Sequence, residues 1–151
     1  MEFRVLTARH MALVAELFFD VFSGEPWNDD WSDTEQLNAY IDDLTGQRSS
    51  LTLGYFDGDR LIAISLGNIK HWFTGTEYCI DEFCVAKGAQ GKGIGAEFMG
   101  EIENYLISKG IRAIFLQTES DMPAYGFYRH MGFSELTGHV SFVKRLDPGG
   151  E

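Results

Sequence analysis

Apolar residues recur along the chain with two periods. At helical spacing, Met11, Ala15, Phe18 and Phe22, widened by Leu13 and Leu17, predict a helix over 8–22 with Thr7 as its N-cap. Leu37, Tyr40, Ile41 and Leu44 predict a second over 33–44. Ile94, Phe98, Ile102, Tyr105 and Leu106 predict a third over 94–109, closed by Gly110. "DMPAYGFYRHM" (121–131) reads as a short fourth helix, with Asp121 as N-cap and Pro123 in its first turn. The remaining apolar runs are strand-like. Residues 2–6 form one. "LTLGYFDGDRLIAISLGNI" (51–69) reads as a hairpin turning at "DGD". "EYCIDEFCVA" (77–86) and "IRAIFLQT" (111–118) are two more, and "GFSELTGHVSFVKRL" (132–146) reads as a final pair. The tail "DPGGE" is expected to fray. The order β-α-α-β-β-β-α-β-α-β-β describes an α/β (α+β) protein, a mixed sheet with helices on it. There is no internal repeat and no low-complexity segment.

The chain has 151 residues, which suits one domain over 1–151 rather than two. A 44% hydrophobic content is enough for a packed core. The net charge of −11 argues against nucleic acid or an anionic membrane as partner. It suits a cationic substrate through steering, and equally a merely soluble surface. The opening "MEFRVLTARH" lacks a basic-then-apolar signal pattern, and "MALVAELFFDVF" carries acids and is too short to span a bilayer. A cytoplasmic protein is expected. Cys79 and Cys84, five apart on one strand, are expected on opposite faces as buried small apolar groups. The four histidines show no metal-ligand spacing, so no metal is expected.

The stretch "GAQGKGIGAEF" (88–98) sets four glycines between a strand and a helix. Backbone N–H groups at such a helix start, with the helix dipole, suit a phosphate, and glycine lets a bulky anion approach. A tight turn needing glycine only for its dihedrals is the alternative. A nucleotide P-loop fails here, because Ile94 and Gly95 stand where Lys and Ser/Thr belong. Gly91, Gly93 and Ala96 match G-x-G-x-x-A, but too few β-α units follow for a dinucleotide fold.

"QGKGIG", Gln90 to Gly95, resembles the Q/R-x-x-G-x-G/A signature of the GNAT N-acetyltransferase superfamily. "AYGFYRHMGF" resembles the same superfamily's A-x-x-[LF]-Y-x-x-x-G-F segment at Ala124, Phe127, Tyr128, Gly132 and Phe133. The two motifs stand in the family's order, one helix and one strand apart, and the resemblance covers 77–135. It implies a mixed, mostly antiparallel sheet of six to seven strands with about four helices and splayed central strands. It also implies acetyl-CoA as donor. The pyrophosphate would lie on the backbone of Gly91, Lys92, Gly93, Ile94, Gly95 and Ala96, with Gln90 beside it. The pantetheine arm would pair along Phe83, Cys84 and Val85, with Phe127 and Asp121 nearby. The family often has Asn where Asp121 stands, and an ionised Asp cannot donate a hydrogen bond. Lys87 and Lys92 lie close enough in sequence to meet phosphates, or simply solvent.

Acetyl transfer to an amine needs a base, because an alkyl ammonium near pKa ~10 is no nucleophile at neutral pH. The leaving thiolate gains from an acid. Tyr128, in the family's tyrosine position, is the candidate acid; on spacing alone it is equally a packing residue beside Phe127. Glu82 is the candidate base, an acid inside an apolar strand whose burial would raise its pKa, or else a solvent-facing carboxylate. Asp81 and Glu119 are rivals. The resemblance implies that the segment between the first two helices lines the acceptor site. Here it is "GEPWNDDW", where Trp27 and Trp31 offer aromatic walls to a cation and Asp30, with Glu25, Asp29 and Asp33, offers negative charge. The alternative is anchored tryptophans and helix-capping acids. The leading reading is an N-acetyltransferase acting on a small-molecule amine, probed against a non-catalytic acyl-CoA-binding module and a nucleotide-binding protein. "GHVSFVKR" as an open strand edge makes a homodimer plausible.

Overall fold

The computed structural model describes residues 1–147, so the tail beyond Asp147 lies outside the described residues. The chain divides into two units, Met1–Gln117 and Thr118–Glu151. The first holds one five-stranded sheet in the order β1-β2-β3-β4-β5. Its strands are β1 (Glu2–Val5), β2 (Ser50–Asp57), β3 (Arg60–Trp72), β4 (Gly75–Val85) and β5 (Ala113–Leu116). Neighbours are antiparallel except β4 and β5, which are parallel. The helices α1 (Met11–Phe22), α2 (Thr34–Thr45) and α3 (Ile94–Ser108) belong to the same unit, and a 3₁₀ turn, Ala8–His10, leads into α1.

Alternation along the strands sorts the helices onto two faces. On one face Phe3, Tyr55 and Phe83 meet Phe98 of α3 at ring-centroid distances of 6.2, 5.3 and 5.6 Å. On the other, α1 and α2 cover the sheet, and Phe18 of α1 lies 5.9 Å from Tyr40 of α2. Both faces are therefore buried, which is why Leu53, Ala63, Ile64 and Leu66 in the middle of β2 and β3 have no solvent contact. Gly110 (φ +76°) ends α3 as expected, with Ile111 N–H bonded to Leu106 O at 2.9 Å and Gly110 N–H to Ile107 O at 3.0 Å.

The second unit contains α4 (Pro123–His130). Its N-cap is Met122, which is extended, not Asp121, and no side chain caps the first turn. The expected final strand pair does not form: residues 134–147 carry no strand, so the described sheet has five strands rather than six or seven. The alternation in "HVSFV" suits a strand only if one face is covered and one edge paired. Here Val140 and Phe142 are 75% and 94% exposed, so nothing rewards the ladder.

Candidate active site

The feature that shapes the site is a bulge in β4. Leu66 pairs with Glu82 and Gly67 with Ile80, which leaves Asp81 as the extra residue. Gly67 permits it: a Cβ there would lie 2.4 Å from the Cys79 carbonyl oxygen and 2.7 Å from the Tyr78 ring. The bulge shifts the alternation by one residue. Cys79 pairs with Asn68 and Cys84 with Ile64, so both cysteines share the face of Glu82 instead of lying on opposite faces. They are buried free thiols, and burial pushes both upward, which leaves them poor nucleophiles.

Glu82 faces α2 while its neighbour Phe83 faces α3. The Tyr40 hydroxyl donates to Glu82 Oε2 at 2.5 Å. The Tyr40 ring stacks on Trp31 at 5.4 Å and 15°, and Trp31 stands edge-on to Phe18 at 5.4 Å. Trp27 stands edge-on to Phe22 at 5.0 Å. The two tryptophans thus pin the 23–33 segment to α1. The indole N–H of Trp31 is buried without an acceptor among the described residues, a donor left for a ligand or water. Burial raises the Glu82 carboxyl above its ordinary range; Tyr40 pulls it partly back, and the charges of Asp81 and Asp29 push it up. Burial, then the bond to Glu82, raises the Tyr40 phenol well above its ordinary value.

The other acids of the segment have local partners. Asp30 accepts from the Ser32 N–H at 3.0 Å and the Ser32 hydroxyl at 2.6 Å, which lowers its pKa. Asp33 caps α2 by accepting from Gln36 N–H at 3.1 Å, and Glu25 accepts from Asn28 at 2.9 Å. Asp29, not singled out by sequence over its neighbours, is the one whose charge reaches Glu82. Tyr40 was read only as part of a helical stripe. No local pattern links it to a carboxylate 42 residues away.

At the end of β4 the chain turns through a 3₁₀ segment, Lys87–Ala89, into α3. Gly91 (φ +74°) and Gly93 (φ +80°) take left-handed conformations, and a Cβ on either would meet nothing within 4 Å. Gly93 is the N-cap residue, with no side chain capping the helix. The first acceptor of α3 is Gly93 O, bonded by Glu97 N–H at 3.0 Å, so the N–H groups of Ile94, Gly95 and Ala96 have no acceptor within the helix. Open space, two left-handed glycines and uncapped donors fit the pyrophosphate of a CoA ester. Gln90 braces the turn, its amide donating to Val85 O at 2.9 Å. Lys92 is exposed on the turn, whereas the Lys87 ammonium lies over Gly24, 1.7 Å from where a Cβ would stand.

Phe83, Cys84 and Val85 pair with Ser65, Ile64 and Ala63 of β3. On the other side, β4 pairs with β5 only from Glu77 to Ile80, and β5 ends at Leu116 while β4 runs on to Val85. In the second unit, Tyr128 is half-buried and stands edge-on to Phe127 at 5.3 Å and Phe133 at 5.4 Å. Asp121 is exposed. A cleft of about 640 Å³ also opens between α1, the β2–β3 turn and Lys87–Gly88; Glu82, Tyr40 and Trp31 do not line it.

A sequence model of the acetyltransferase (GNAT) family matches residues 11–133. The chain belongs to the GNAT acetyltransferase family. Its fold is similar to that of a possible acetyltransferase from Clostridium difficile 630, with a TM-score of 0.81 and 17% identity over 97% of this chain and 98% of that one. An aminoglycoside acetyltransferase from an uncultured soil metagenomic sample, solved with sisomicin, matches with a TM-score of 0.73 and 19% identity over 97% and 96% of the two chains. AAC(6')-Iy, solved with the bisubstrate analogue CoA-S-monomethyl-acetylneamine, matches with a TM-score of 0.73 and 14% identity over 96% and 98%. At these identities the TM-scores show a shared fold.

Proposed function

We propose that this GNAT protein transfers an acetyl group from acetyl-CoA to the primary amine of a small cationic acceptor. The observation that carries the reading is the half-buried Glu82 carboxylate, hydrogen-bonded to Tyr40, whose ring stacks on Trp31. It stands on the strand that leads directly into the glycine turn. A carboxylate raised by burial takes a proton from an ammonium more readily than a solvated one. The aromatic walls and the charge of Asp29 favour a cation over an acidic acceptor. Both aminoglycoside acetyltransferase structures above concern amine-bearing small molecules, which agrees with this class.

In this reading the N–H groups of Ile94, Gly95 and Ala96 hold the pyrophosphate, and Phe83 to Val85 flank the pantetheine arm. Acetyl-CoA supplies the acetyl group and a thiolate leaving group. Glu82 takes the ammonium proton, directly or through a water, so that the amine nitrogen bonds to the acetyl carbon as the carbon–sulfur bond breaks. Tyr128 gives a proton to the sulfur, free phenols and thiols being of similar acidity, and regains one from the new amide nitrogen, while the proton on Glu82 passes to solvent. Trp27, Trp31 and Asp30 are assigned to the acceptor side.

The test is thiol release from acetyl-CoA with spermidine, sisomicin and free amino acids as acceptors. Wild type is expected to release CoA only with an amine present. Glu82→Gln is expected to lose about 10²- to 10⁴-fold in kcat/KM, the usual worth of a general base, and to lose the acidic limb of the pH profile. A Glu82→Gln enzyme that keeps the wild-type limb rules Glu82 out as the base.

A further inference from the structure

We infer that Tyr40 is the positioning residue of the acceptor site, holding Glu82 by one carboxylate oxygen and tying it to the tryptophan segment through the Trp31 stack. The inference rests on the reading of Glu82 as the base.

Three observations carry it. First, the Tyr40 hydroxyl bonds Oε2 of Glu82 at 2.5 Å, and among the described residues no hydrogen bond engages Oε1. A carboxylate held by one oxygen presents the other in a fixed direction, which is what a base needs if its partner is to arrive within hydrogen-bond reach. Second, Tyr40 cannot turn away cheaply. Its ring stacks on the face of Trp31 and meets Phe18 at 5.9 Å, and Trp31 and Phe18 also touch, so the three rings form a triangle that ties its rotamer to α1 and the 23–33 segment together. Third, Glu82 follows the bulged residue Asp81, and a bulge re-aims the side chains beside it. Backbone and phenol thus fix Glu82 from two sides. An acceptor that moves Trp31 must also move Tyr40, and through it the carboxylate.

The titratable groups around the pair are Asp29 on the segment, Asp81 on β4 and Asp43 on α2, with the Cys84 thiol behind Glu82. All three carboxylates act against ionisation of Glu82 or Tyr40. The hydroxyl of Tyr40 is the group that favours the charged form of Glu82. Removing it leaves burial and the acids unopposed, so Glu82 must then titrate at higher pH.

The experiment is carbon-13 NMR of the Glu82 side-chain carboxyl across pH in wild type, Tyr40→Phe and Trp31→Leu, with no ligand present. Tyr40→Phe keeps the ring and its stack and is expected to move the Glu82 midpoint upward; Trp31→Leu is expected to move it the same way by less. In the acetyl-transfer assay Tyr40→Phe is expected to lose about tenfold in kcat/KM on the acidic side, the effect of one hydrogen bond to a charged group, with the KM for acetyl-CoA unchanged. In a Glu82→Gln background the same substitution is expected to leave the pH profile as it was. An unmoved Glu82 midpoint in Tyr40→Phe overturns the pairing. A moved midpoint with an unmoved kinetic limb leaves the pairing intact and overturns Glu82 as the base. Wild type alone gives a further readout should a variant not fold: the Tyr40 ring carbon bearing the hydroxyl must report the Glu82 midpoint, and an independent midpoint there overturns the inference.

Discussion

Ionising Glu82 in the fold works against burial and against the charges of Asp81 and Asp29. Its folded pKa is raised above the unfolded value of 4.5, so the folded state holds this proton more tightly. The sign follows from linkage: below the unfolded value the carboxyl is neutral in both states and costs nothing, and as pH rises through the folded value the cost of the charge appears. Glu82→Gln is therefore expected to melt above wild type at pH 8, with the gap closing as pH falls towards 4; parallel melting curves would show that Glu82 is not so strained. Such a gain in stability with loss of activity is typical of a group kept for chemistry. Tyr128→Phe should behave differently, lowering kcat while the calorimetric affinity for acetyl-CoA stays at the wild-type value; unchanged turnover removes it from the mechanism. Sequence reasoning reached Glu82 because an acid in an apolar strand is visible locally. It did not reach Tyr40, because a hydrogen bond 42 residues long leaves no mark in either periodicity.

At the level of elements, the glycine turn and the helices were legible, because 3.6-residue spacing and left-handed glycines are properties of neighbouring residues. Gly93 shows what the turn requires. With φ at +80° and open space around the missing Cβ, Gly93→Ala meets no clash and suffers only the dihedral cost, about 1–2 kcal/mol. Either the turn keeps its shape and the protein melts lower, or it relaxes and the donors of Ile94 to Ala96 move. In the first case the added methyl group fills the open space through which an anion would approach the backbone, so in both cases calorimetry is expected to show weaker acetyl-CoA binding, and unchanged affinity would place the pyrophosphate elsewhere. The β4 bulge was not legible, since register belongs to two strands at once. It reversed the expected relation between Cys79 and Cys84. The absent strand pair after Gly132 has the same origin. Alternation in "HVSFV" shows that a strand is possible, but only a partner edge makes one.

For the whole molecule, the proposed function has the net charge of −11 and the acids around Glu82 act together to raise the local concentration of cations near the site. Acceptor KM is therefore expected to rise with salt for spermidine, while the KM for the anionic donor does not. No helix among the described residues is long and apolar enough to cross a membrane. The most direct measurement is thiol release from acetyl-CoA, followed with spermidine and with sisomicin, beside a thermal melt of the same protein with acetyl-CoA. The account predicts a raised melting midpoint, as for any ligand that binds only the folded state, together with thiol release that depends on the amine. A raised midpoint with thiol release no faster than without amine would contradict it, and would make this GNAT protein an acyl-CoA-binding module rather than an N-acetyltransferase.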